Sequence, residues 1–381
     1  MHIAFLTPEY PHKKISHAAG IGTSIKNLAV ALVKQNCEVT IIIYGQNKSI
    51  VFEEEGVIIH LVEDRTYRFA KWFLYRKYIQ NYCNQIIKEQ KIDILEAADW
   101  TGITAFMNFK IPLVIRFHGS DTYFCHLEKR KQKLKNFWFE KLALQRAKAF
   151  IAPTTFAGEL SRKLFGIKNK KIKTIHYGLE LEKFENSNPE DYENGLLLYI
   201  GTIIRKKGVL ELPRIFNEVR QQNPESSLIL IGGDSSDIET QSQSTWQLLQ
   251  SEFHEEDLKR VTYLGKIPYH EVQKYIKKAH ICVFPSFAET LGMVTIESMA
   301  MQKPVVNTDI GWAKELIIDG ESGFLIHPKN NPGYAAKINA ILNDNGLAKQ
   351  LGDNARERVE KKFDIKKIAA ENIAFYKSLI V

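Results

Sequence analysis

One stretch of the chain decides its fold class: Ile281-Cys282-Val283-Phe284-Pro285-Ser286-Phe287-Ala288-Glu289-Thr290-Leu291-Gly292-Met293-Val294-Thr295-Ile296-Glu297-Ser298-Met299-Ala300. Its first four residues are apolar and typical of a buried strand, its middle carries the proline and glycine of a turn, and its remainder can form a helix. Apolar strands that alternate with helices form parallel sheets whose faces are covered by those helices. The stretch therefore predicts an α/β protein with a parallel sheet.

The same alternation runs outward from this stretch in both directions and restarts once. Residues 185–191 are polar, contain a proline and lack an apolar period, so we interpret them as a linker. We predict two Rossmann-like doubly wound domains, residues 1–185 and 195–362, with ligands beyond the carboxyl ends of the strands. The predicted strands are residues 3–6, 39–43, 92–95, 113–117, 150–152 and 172–175, then 196–200, 228–231, 261–264, 281–284, 305–307 and 324–326.

Length and composition are those of an ordinary soluble globular protein. The chain has 381 residues, of which 44% are hydrophobic and 25% charged, and this length exceeds what one hydrophobic core usually supports. No apolar run reaches the roughly 18 residues of a membrane helix, and the N-terminus lacks the pattern of a signal peptide. Its four cysteines are widely spaced, which argues against a disulfide or metal framework. We therefore expect a cytoplasmic protein.

Charge is distributed unevenly along the chain. Residues 1–185 carry a net charge of +11 and residues 186–381 a net charge of −3, within a total of +8. The basic first half indicates an anionic partner, which can be a membrane surface, a phosphorylated acceptor or a nucleic acid. The alternative is a lysine-rich surface that only faces water.

The turn and helix start within residues 284–300 provide the strongest candidate site. Leu291–Val294 would present backbone N–H groups at a helix N-terminus, which favours a phosphate. Glu297 lies about one turn into that helix, within reach of the ribose of the same nucleotide. Glu289 precedes the helix, where its carboxylate can accept hydrogen bonds from sugar hydroxyls. The alternative is a helix cap for Glu289 and a solvated position for Glu297.

A basic turn follows the first strand of the second domain, in Tyr199-Ile200-Gly201-Thr202-Ile203-Ile204-Arg205-Lys206-Lys207-Gly208. Arg205, Lys206 and Lys207 stand at the carboxyl end of that strand, where they can neutralise a diphosphate. A departing nucleoside diphosphate gains negative charge in the transition state, so fixed cations would lower the barrier. A solvated charged surface is the alternative.

Two further turns follow strands of the first domain. Ala18-Ala19-Gly20-Ile21-Gly22-Thr23 is a glycine loop that lets a ligand approach the backbone, and Thr23 or Ser24 can cap the next helix. The loop lacks the third glycine of a dinucleotide fingerprint, which argues against a dehydrogenase. The second turn carries His118, which would project from the end of the strand at residues 113–117 or serve as a structural turn residue.

Taken together, these motifs resemble glycosyltransferase family 4, the retaining group 1 enzymes of the GT-B fold. The resemblance covers nearly the whole chain, and its most specific element is the pair Glu289 and Glu297 after Pro285-Ser286. Supporting matches are residues 7–10, 20–23, 174–180, 201–208, 231–233, 264–265 and 311–315.

The resemblance implies two domains that face each other across a cleft, with residues 363–381 as a helix that packs on the first domain. It implies transfer of a sugar from a UDP- or GDP-sugar to an acceptor hydroxyl, in the synthesis of cell-surface polysaccharide, lipopolysaccharide or glycolipid. The acceptor would be a saccharide or a lipid-linked saccharide bound by the first domain, and the donor would bind the second.

The resemblance also implies a role for each candidate residue. Glu289 would contact the donor sugar, Glu297 the ribose, and His118 the sugar near the reacting carbon. The diphosphate would be bound by Lys207, by the N–H groups of Leu291, Gly292, Met293 and Val294, and by Gly20 and Gly22 closing over it.

Three residues depart from the family pattern. Thr202 stands where the family usually has an arginine, and we expect Arg205 to substitute for it. Tyr177 replaces the usual asparagine before Gly178, and Trp312 stands where a second glycine is common.

The implied mechanism is a front-side reaction in which the departing phosphate helps to deprotonate the acceptor hydroxyl. No Asp-x-Asp turn indicates a metal site, so we expect no metal and no cofactor, with Arg205, Lys206 and Lys207 neutralising the charge. A sugar-nucleotide epimerase of similar build is the alternative enzyme. A nucleic-acid-binding protein is a third hypothesis, but the sequence contains no recognised nucleic-acid-binding motif and we expect no such partner.

Residues 127–139 combine cations with a cluster of aromatic side chains. A helix from about residue 131 to 148 would place Leu134, Phe137 or Trp138, Lys141 and Leu142 near one another. Basic residues beside tryptophan and phenylalanine suit the headgroups of an anionic membrane, so the protein can be peripheral on the inner leaflet. The alternative is that Phe137 and Trp138 pack into the first domain.

Overall fold

The computed structural model describes residues 1–15 and 20–380. The chain divides into two compact units, the first formed by Met1–Glu180 with Asp364–Val381 and the second by Leu181–Phe363. Each unit contains one largely parallel sheet with helices between successive strands. The predicted fold class, two α/β domains, is therefore confirmed.

The sheet of the first unit has eight strands in the order β3-β4-β2-β1-β5-β6-β7-β8. All pairings are parallel except that between β3 and β4. The strands are β1 His2–Thr7, β2 Glu38–Gln46, β3 Ile50–Glu54, β4 Val57–Glu63, β5 Ile94–Ala98, β6 Leu113–Arg116, β7 Ala149–Ala152 and β8 Ile172–Thr174, and the helices between them are α1 Gly20–Lys34, α2 Lys71–Glu89, α3 Asp121–Leu127, α4 Leu134–Arg146 and α5 Thr155–Phe165.

Alternate residues of β1 pack into two different hydrophobic cores. Ile3 and Phe5 belong to a cluster that includes residues of α1, whereas Ala4 and Leu6 belong to a cluster that includes residues of α2, α4 and α5. Because successive side chains of a strand point to opposite faces, the first sheet is covered on both sides. This explains why its central strands consist of continuous apolar runs.

The sheet of the second unit has six parallel strands in the order β11-β10-β9-β12-β13-β14. The strands are β9 Leu196–Ile200, β10 Ser227–Ile231, β11 Val261–Tyr263, β12 Ile281–Phe284, β13 Val305–Asn307 and β14 Phe324–Leu325, and the helices are α6 Leu212–Gln222, α7 Thr245–Glu252, α8 Glu255–Leu258, α9 Tyr269–Lys278, α10 Met293–Ala300, α11 Ala313–Leu316, α12 Asn331–Leu342 and α13 Asn345–Lys362.

The last helix, α14 (Ile365–Ile380), belongs to the first unit and is tied to its sheet by a buried polar network. Arg116 donates to both oxygens of Glu96, at 2.6 and 3.0 Å, and to Oδ1 of Asn372 at 2.6 Å. The hydroxyl of Tyr376 donates to Glu96 at 2.5 Å. Because each charge in this network is paired and hydrogen-bonded, its burial is tolerated, and the end of β6 is held in place.

Two strands of the first sheet were not predicted from the sequence. β3 and β4 form an antiparallel hairpin, so this sheet is not entirely parallel. β3 lies at the edge of the sheet, where Glu53 is exposed and the half-buried Glu54 lies 3.3 Å from the ammonium group of Lys26. β3 carries two glutamates beside its short apolar run Ile50–Phe52, whereas β4 is a buried and largely apolar run comparable to the strands that were predicted.

Two predicted helix starts also differ from the structure. The first helix begins at Gly20, so Thr23 and Ser24 lie inside its first turns instead of capping it, while Ala18 and Ala19 fall outside the described residues. The helix predicted over residues 131–148 spans Leu134–Arg146, because Lys133 and Ala147 have extended backbones. Within the part of the chain that the structure describes, no helix is both long and apolar enough to cross a membrane.

Candidate functional site

Two turns meet where the strand order of the second sheet reverses. β9 pairs with β12 on one side and with β10 on the other, so the turns that follow β9 and β12 lie side by side at the carboxyl edge. The backbone N–H groups of Phe287 and Ala288 donate to the carbonyl of Lys206 at 2.8 and 3.2 Å. Such a reversal point is where doubly wound folds bind their ligands.

Gly208 lets the two turns approach each other this closely. Its φ is +70°, and a Cβ at this position would lie 1.7 Å from the carbonyl oxygen of Pro285. Any other residue would have to push the turns apart. Gly208 thus sets the spacing between the basic turn and the turn that carries Glu289.

The two turns bring Lys207 and Glu289 together. Lys207 is the last residue of a short 3-10 turn, Arg205–Lys207. Its ammonium group donates to Oε1 of Glu289. The two side chains are only 22% and 16% exposed, so solvent screens their attraction weakly. One side chain can bind an anion and the other can accept hydrogen bonds from hydroxyls, and both open onto the same pocket.

This pocket, which we call the β9–β12 pocket, contains most of the residues predicted from the motif after β12. Leu291, Gly292 and Val294 line it, and Met293 is the first residue of α10. Gly292 occupies the N-cap position and makes no side-chain capping bond, which leaves the N–H groups of Met293 and Val294 as potential donors, whereas that of Thr295 donates to the carbonyl of Gly292 at 3.1 Å. The lining residues are Tyr199, Ile200, Lys207, Phe284, Ser286, Glu289, Leu291, Gly292, Val294, Thr295, Asn307 and Trp312.

Glu297 lies deeper than the sequence suggested and is not among the residues that line the β9–β12 pocket. Its side chain is 5% exposed and accepts a 2.6 Å hydrogen bond from the hydroxyl of Tyr269. Burial raises the pKa of Glu297 to about 7, and the bond from Tyr269 opposes that rise. Tyr269 is the first residue of α9, and its side chain is half exposed.

Arg205 and Lys206 differ from the expectation that three cations converge on the diphosphate. Arg205 makes two 2.8 Å bonds to the carboxylate of Asp237 and lies 3.3 Å from Glu239. This pairing holds the pKa of Asp237 well below its usual range. Lys206 contributes its carbonyl to the contact between the turns. Of the three cations, Lys207 lines the pocket and the other two do not.

His118 lines a second pocket, within the first unit, together with Arg116, His176 and Tyr177. Its Nδ1 lies 2.7 Å from the hydroxyl of Tyr177, and its backbone N–H donates to Oδ1 of Asp99 at 2.9 Å. Burial and the neighbouring Arg116 lower the pKa of His118 to about 3. The ring is therefore neutral at physiological pH.

Gly20 and Gly22, which were predicted to close over the diphosphate, lie in the first turn of α1 and not in a loop. The N–H of Gly22 donates to Oε1 of Glu9 at 2.8 Å, and a Cβ on Gly22 would lie 2.9 Å from the backbone of Tyr10. Gly22 is therefore required for the close approach of this helix to the segment after β1. Gly20 is exposed, and its missing Cβ faces open space.

Several residues that hold these sites were not predicted from the sequence. Asp99 directly follows β5 and Glu9 follows β1, so both stand at strand ends, where the same topological rule could have indicated them. Tyr269 and Asp237 do not follow a strand in this way, so the rule could not have indicated them. Tyr269 contacts Glu297, and Asp237 contacts Arg205, from distant segments of the chain. Within residues 1–15 and 20–380, no group of three or more His, Cys, Asp or Glu side chains could hold a metal ion.

Comparisons with known proteins agree with this architecture. The model of the family described as group 1 glycosyl transferases matches residues 181–358, and that of glycosyltransferase family 4 matches residues 18–183. An uncharacterized glycosyltransferase of Methanocaldococcus jannaschii is 24% identical over 99% of this chain and 98% of its own. The capsular polysaccharide biosynthesis glycosyltransferase CapM of Staphylococcus aureus is 27% identical over 56% of this chain and 57% of its own.

The solved structure of Anabaena HepE in complex with UDP-glucose aligns over 100% of both chains, with a TM-score of 0.77 and 20% identity. The two parallel-sheet domains thus have the GT-B fold of glycosyltransferases. The chain belongs to glycosyltransferase family 4, the group 1 glycosyltransferases, and it is a transferase.

Proposed function

We propose that the protein transfers a sugar from a UDP- or GDP-sugar to an acceptor hydroxyl with retention of configuration at the anomeric carbon. The observation that carries this proposal is the sheltered Lys207–Glu289 pair at the β9–β12 pocket. Next to that pair, α10 begins at Met293 with no side-chain cap on its first N–H groups. A cation, a helix N-terminus and a carboxylate in one pocket match the diphosphate and the hydroxyls of a nucleotide sugar.

In the proposed complex, the diphosphate takes the place of Glu289 as the partner of Lys207. Glu289 is then released to accept hydrogen bonds from the donor sugar, so the ion pair is exchanged for two ligand contacts. The first N–H groups of α10 bind the phosphate oxygens. Glu297 binds the ribose hydroxyls when Tyr269 turns aside or shares the carboxylate with them.

The proposed reaction proceeds on one face of the sugar. The bond between the anomeric carbon and the diphosphate breaks, the acceptor oxygen bonds to the same face of that carbon, and the departing phosphate takes the acceptor proton. Lys207 and the N–H groups of α10 stabilise the charge that develops on the phosphate. We propose that these groups replace a metal ion. Transfer should therefore survive excess EDTA, and a loss that magnesium or manganese restores would contradict this part of the proposal.

We propose a saccharide or lipid-linked saccharide as the acceptor, in the synthesis of cell-surface polysaccharide, lipopolysaccharide or glycolipid. The similarity to a capsular polysaccharide glycosyltransferase supports this assignment. The structure of HepE with UDP-glucose supports a UDP-sugar as the first donor to test. We also propose a cytoplasmic location in which the first unit contacts the inner face of the membrane.

A thermal-shift screen against UDP- and GDP-sugars tests the donor class. A donor held at 100 times its dissociation constant should add about 2.7 kcal/mol to the free energy of unfolding. NMR of the product formed from that donor then reports whether the anomeric configuration is retained. Conversion of the donor to an epimer without any acceptor would favour the epimerase alternative, and inversion would reject the front-side reaction.

A further inference from the structure

His118 and Tyr177 form a stacked and hydrogen-bonded pair in the pocket of the first unit. Their ring centroids are 5.5 Å apart with an interplanar angle of 12°, and the phenol oxygen lies 2.7 Å from Nδ1. His118 is 9% exposed, and both rings line the pocket. Tyr177 stands at one of the positions where this chain departs from the pattern of its family.

The backbone around His118 is held as firmly as the ring. Asp99 accepts the N–H of His118 at 2.9 Å, and Arg116, two residues earlier, is fixed by Glu96 and Asn372. The imidazole therefore cannot easily move away from the phenol. Since Tyr177 contacts Nδ1, the nitrogen left to meet a ligand is Nε2.

A neutral imidazole carries one proton, on either nitrogen, and the partner of one nitrogen decides which form is present. A phenol is a far better hydrogen-bond donor than a neutral imidazole N–H, and an imidazole nitrogen is a better acceptor than a phenol oxygen. The stronger of the two possible bonds therefore has the Tyr177 hydroxyl donating to Nδ1. An asparagine amide could offer either a donor or an acceptor and would fix neither form.

We infer that Tyr177 is a positioning residue that keeps the proton of His118 on Nε2. His118 then presents a fixed N–H donor to a ligand that reaches Nε2, which under the proposed function, on which this role rests, is a sugar substrate. The donor is aligned before the ligand arrives, so its alignment costs nothing during the reaction. His118 touches the substrate, whereas Tyr177 acts through His118.

The tautomer can be measured directly by ¹⁵N NMR of the imidazole in the unliganded full chain. We expect the Nε2–H form in the wild-type protein and a mixture of both forms in Tyr177→Phe, which keeps the stacked ring but lacks the hydroxyl. Turnover by Tyr177→Phe should fall roughly 3- to 10-fold, the effect of losing one neutral hydrogen bond, with little change in KM. Tyr177→Asn should also give both forms.

The matched control is Tyr82→Phe. The hydroxyl of Tyr82 lies 3.0 Å from Nδ1 of His60, a second tyrosine–histidine pair of the first unit that does not line this pocket. Its loss should leave both the His118 tautomer and turnover unchanged. An Nδ1–H form in the wild type, or a Tyr177→Phe variant with an unchanged tautomer, would overturn the inference. Because the NMR measurement needs no substrate, its outcome is independent of whether the proposed function is correct.

Discussion

Lys207 and Glu289 are 82 residues apart in the sequence, yet their side chains form an ion pair between two neighbouring turns. The pair is sheltered from solvent and borders the β9–β12 pocket. Glu289 therefore occupies the position that a phosphate bound to Lys207 would take. In the same way, Lys207 occupies the position of a hydroxyl that would donate to Glu289. Substituting one member should affect binding and chemistry differently, depending on which part of the ligand it meets.

Glu289→Gln should lower transfer by roughly 100-fold or more, because an amide cannot replace a carboxylate that accepts several hydroxyl hydrogen bonds. The affinity for the nucleoside diphosphate, which lacks the sugar, should stay near that of the wild type. Steady-state kinetics and calorimetric binding measure the two effects. The matched control is Glu252→Gln, at an exposed residue of α7, which should alter neither. Near-normal turnover by Glu289→Gln would reject the assignment to the sugar.

Lys207→Ala should weaken diphosphate-containing ligands roughly 10- to 150-fold, the effect of losing one charged hydrogen bond. The free nucleoside should bind as before, since it has no phosphate. Lys274→Ala removes an exposed lysine of α9 and controls for the loss of one positive charge. Equal losses for the nucleoside and the nucleoside diphosphate would indicate a folding defect and not a phosphate contact.

Glu297 should make nucleotide-sugar binding depend on pH. Ribose hydroxyls donate to a carboxylate, and the raised pKa of about 7 means that this carboxylate forms only as the pH rises through neutrality. Affinity should therefore increase up to roughly tenfold between pH 6 and 8. A nucleotide sugar is the suitable probe because its diphosphate does not titrate in this range. Glu297→Gln should bind weakly and without this pH dependence.

The carboxyl group of Glu297 should also make the free energy of unfolding decrease as the pH rises, which is opposite to its effect on affinity. The folded-state pKa lies above the ordinary value of 4.5, so the folded protein holds a proton that the unfolded chain has lost. Stability contributed by the protonated form is present below pH 4.5 and is lost as the pH rises toward 7. Denaturant unfolding of the wild type and Glu297→Gln at several pH values measures this difference. The prediction would be contradicted if the affinity and the free energy of unfolding of Glu297→Gln depended on pH as those of the wild type do.

Arg205 should act mainly by holding the segment that contains Asp237. That carboxylate also accepts bonds from the backbone and the hydroxyl of Thr240, so the pair fixes a surface loop. Arg205→Lys and Asp237→Asn should both increase hydrogen exchange in residues 234–244 and change diphosphate affinity less than 3-fold. If Arg205 instead substitutes for the arginine replaced by Thr202, Arg205→Lys alone should weaken the diphosphate tenfold or more.

The residues that could be assigned from the sequence are those that follow apolar strands. β9 and β12 were predicted because they are continuous buried runs, and the topology then placed Lys207 beside Glu289. The pairing of Arg205 with Asp237 was not predictable, since a charged residue carries no indication of which distant partner it will meet. The burial of Glu297 likewise depends on Tyr269 of another helix. Local pattern thus indicated the candidate site, whose role in binding stays a prediction, and tertiary packing decided which charges line it.

α4 and the start of α2 form an aromatic and basic surface on the first unit. Trp138 and Leu134 are 53% and 76% exposed, whereas Phe137 stacks on Phe165 at 5.9 Å. Of the two aromatic residues considered from the sequence, Phe137 therefore packs inward and Trp138 faces solvent. Trp72 of α2, 42% exposed, extends the surface through its contact with Phe139.

Cations border this surface, and most of them are exposed. Lys131, Lys133 and Lys135 are exposed, and Lys141 lies 5.5 Å from the rings of both Phe137 and Trp138. Arg130 differs, because it is paired with Asp121 and Glu128. Exposed tryptophan and leucine beside lysines suit the interface of an anionic bilayer.

Co-sedimentation with vesicles that contain an anionic phospholipid tests this surface. Binding should decrease with salt, and replacing Lys131, Lys133 and Lys135 by serine should weaken it by about 3 kcal/mol, or roughly 1 kcal/mol per lysine. Trp138→Ser should weaken binding without changing its salt dependence. The matched control replaces three exposed lysines of the second unit, Lys274, Lys277 and Lys314, and removes the same charge. If both triple variants lost the same amount of vesicle binding, the attraction would be nonspecific. If the wild-type protein did not bind the vesicles even at low salt, a soluble acceptor would be favoured.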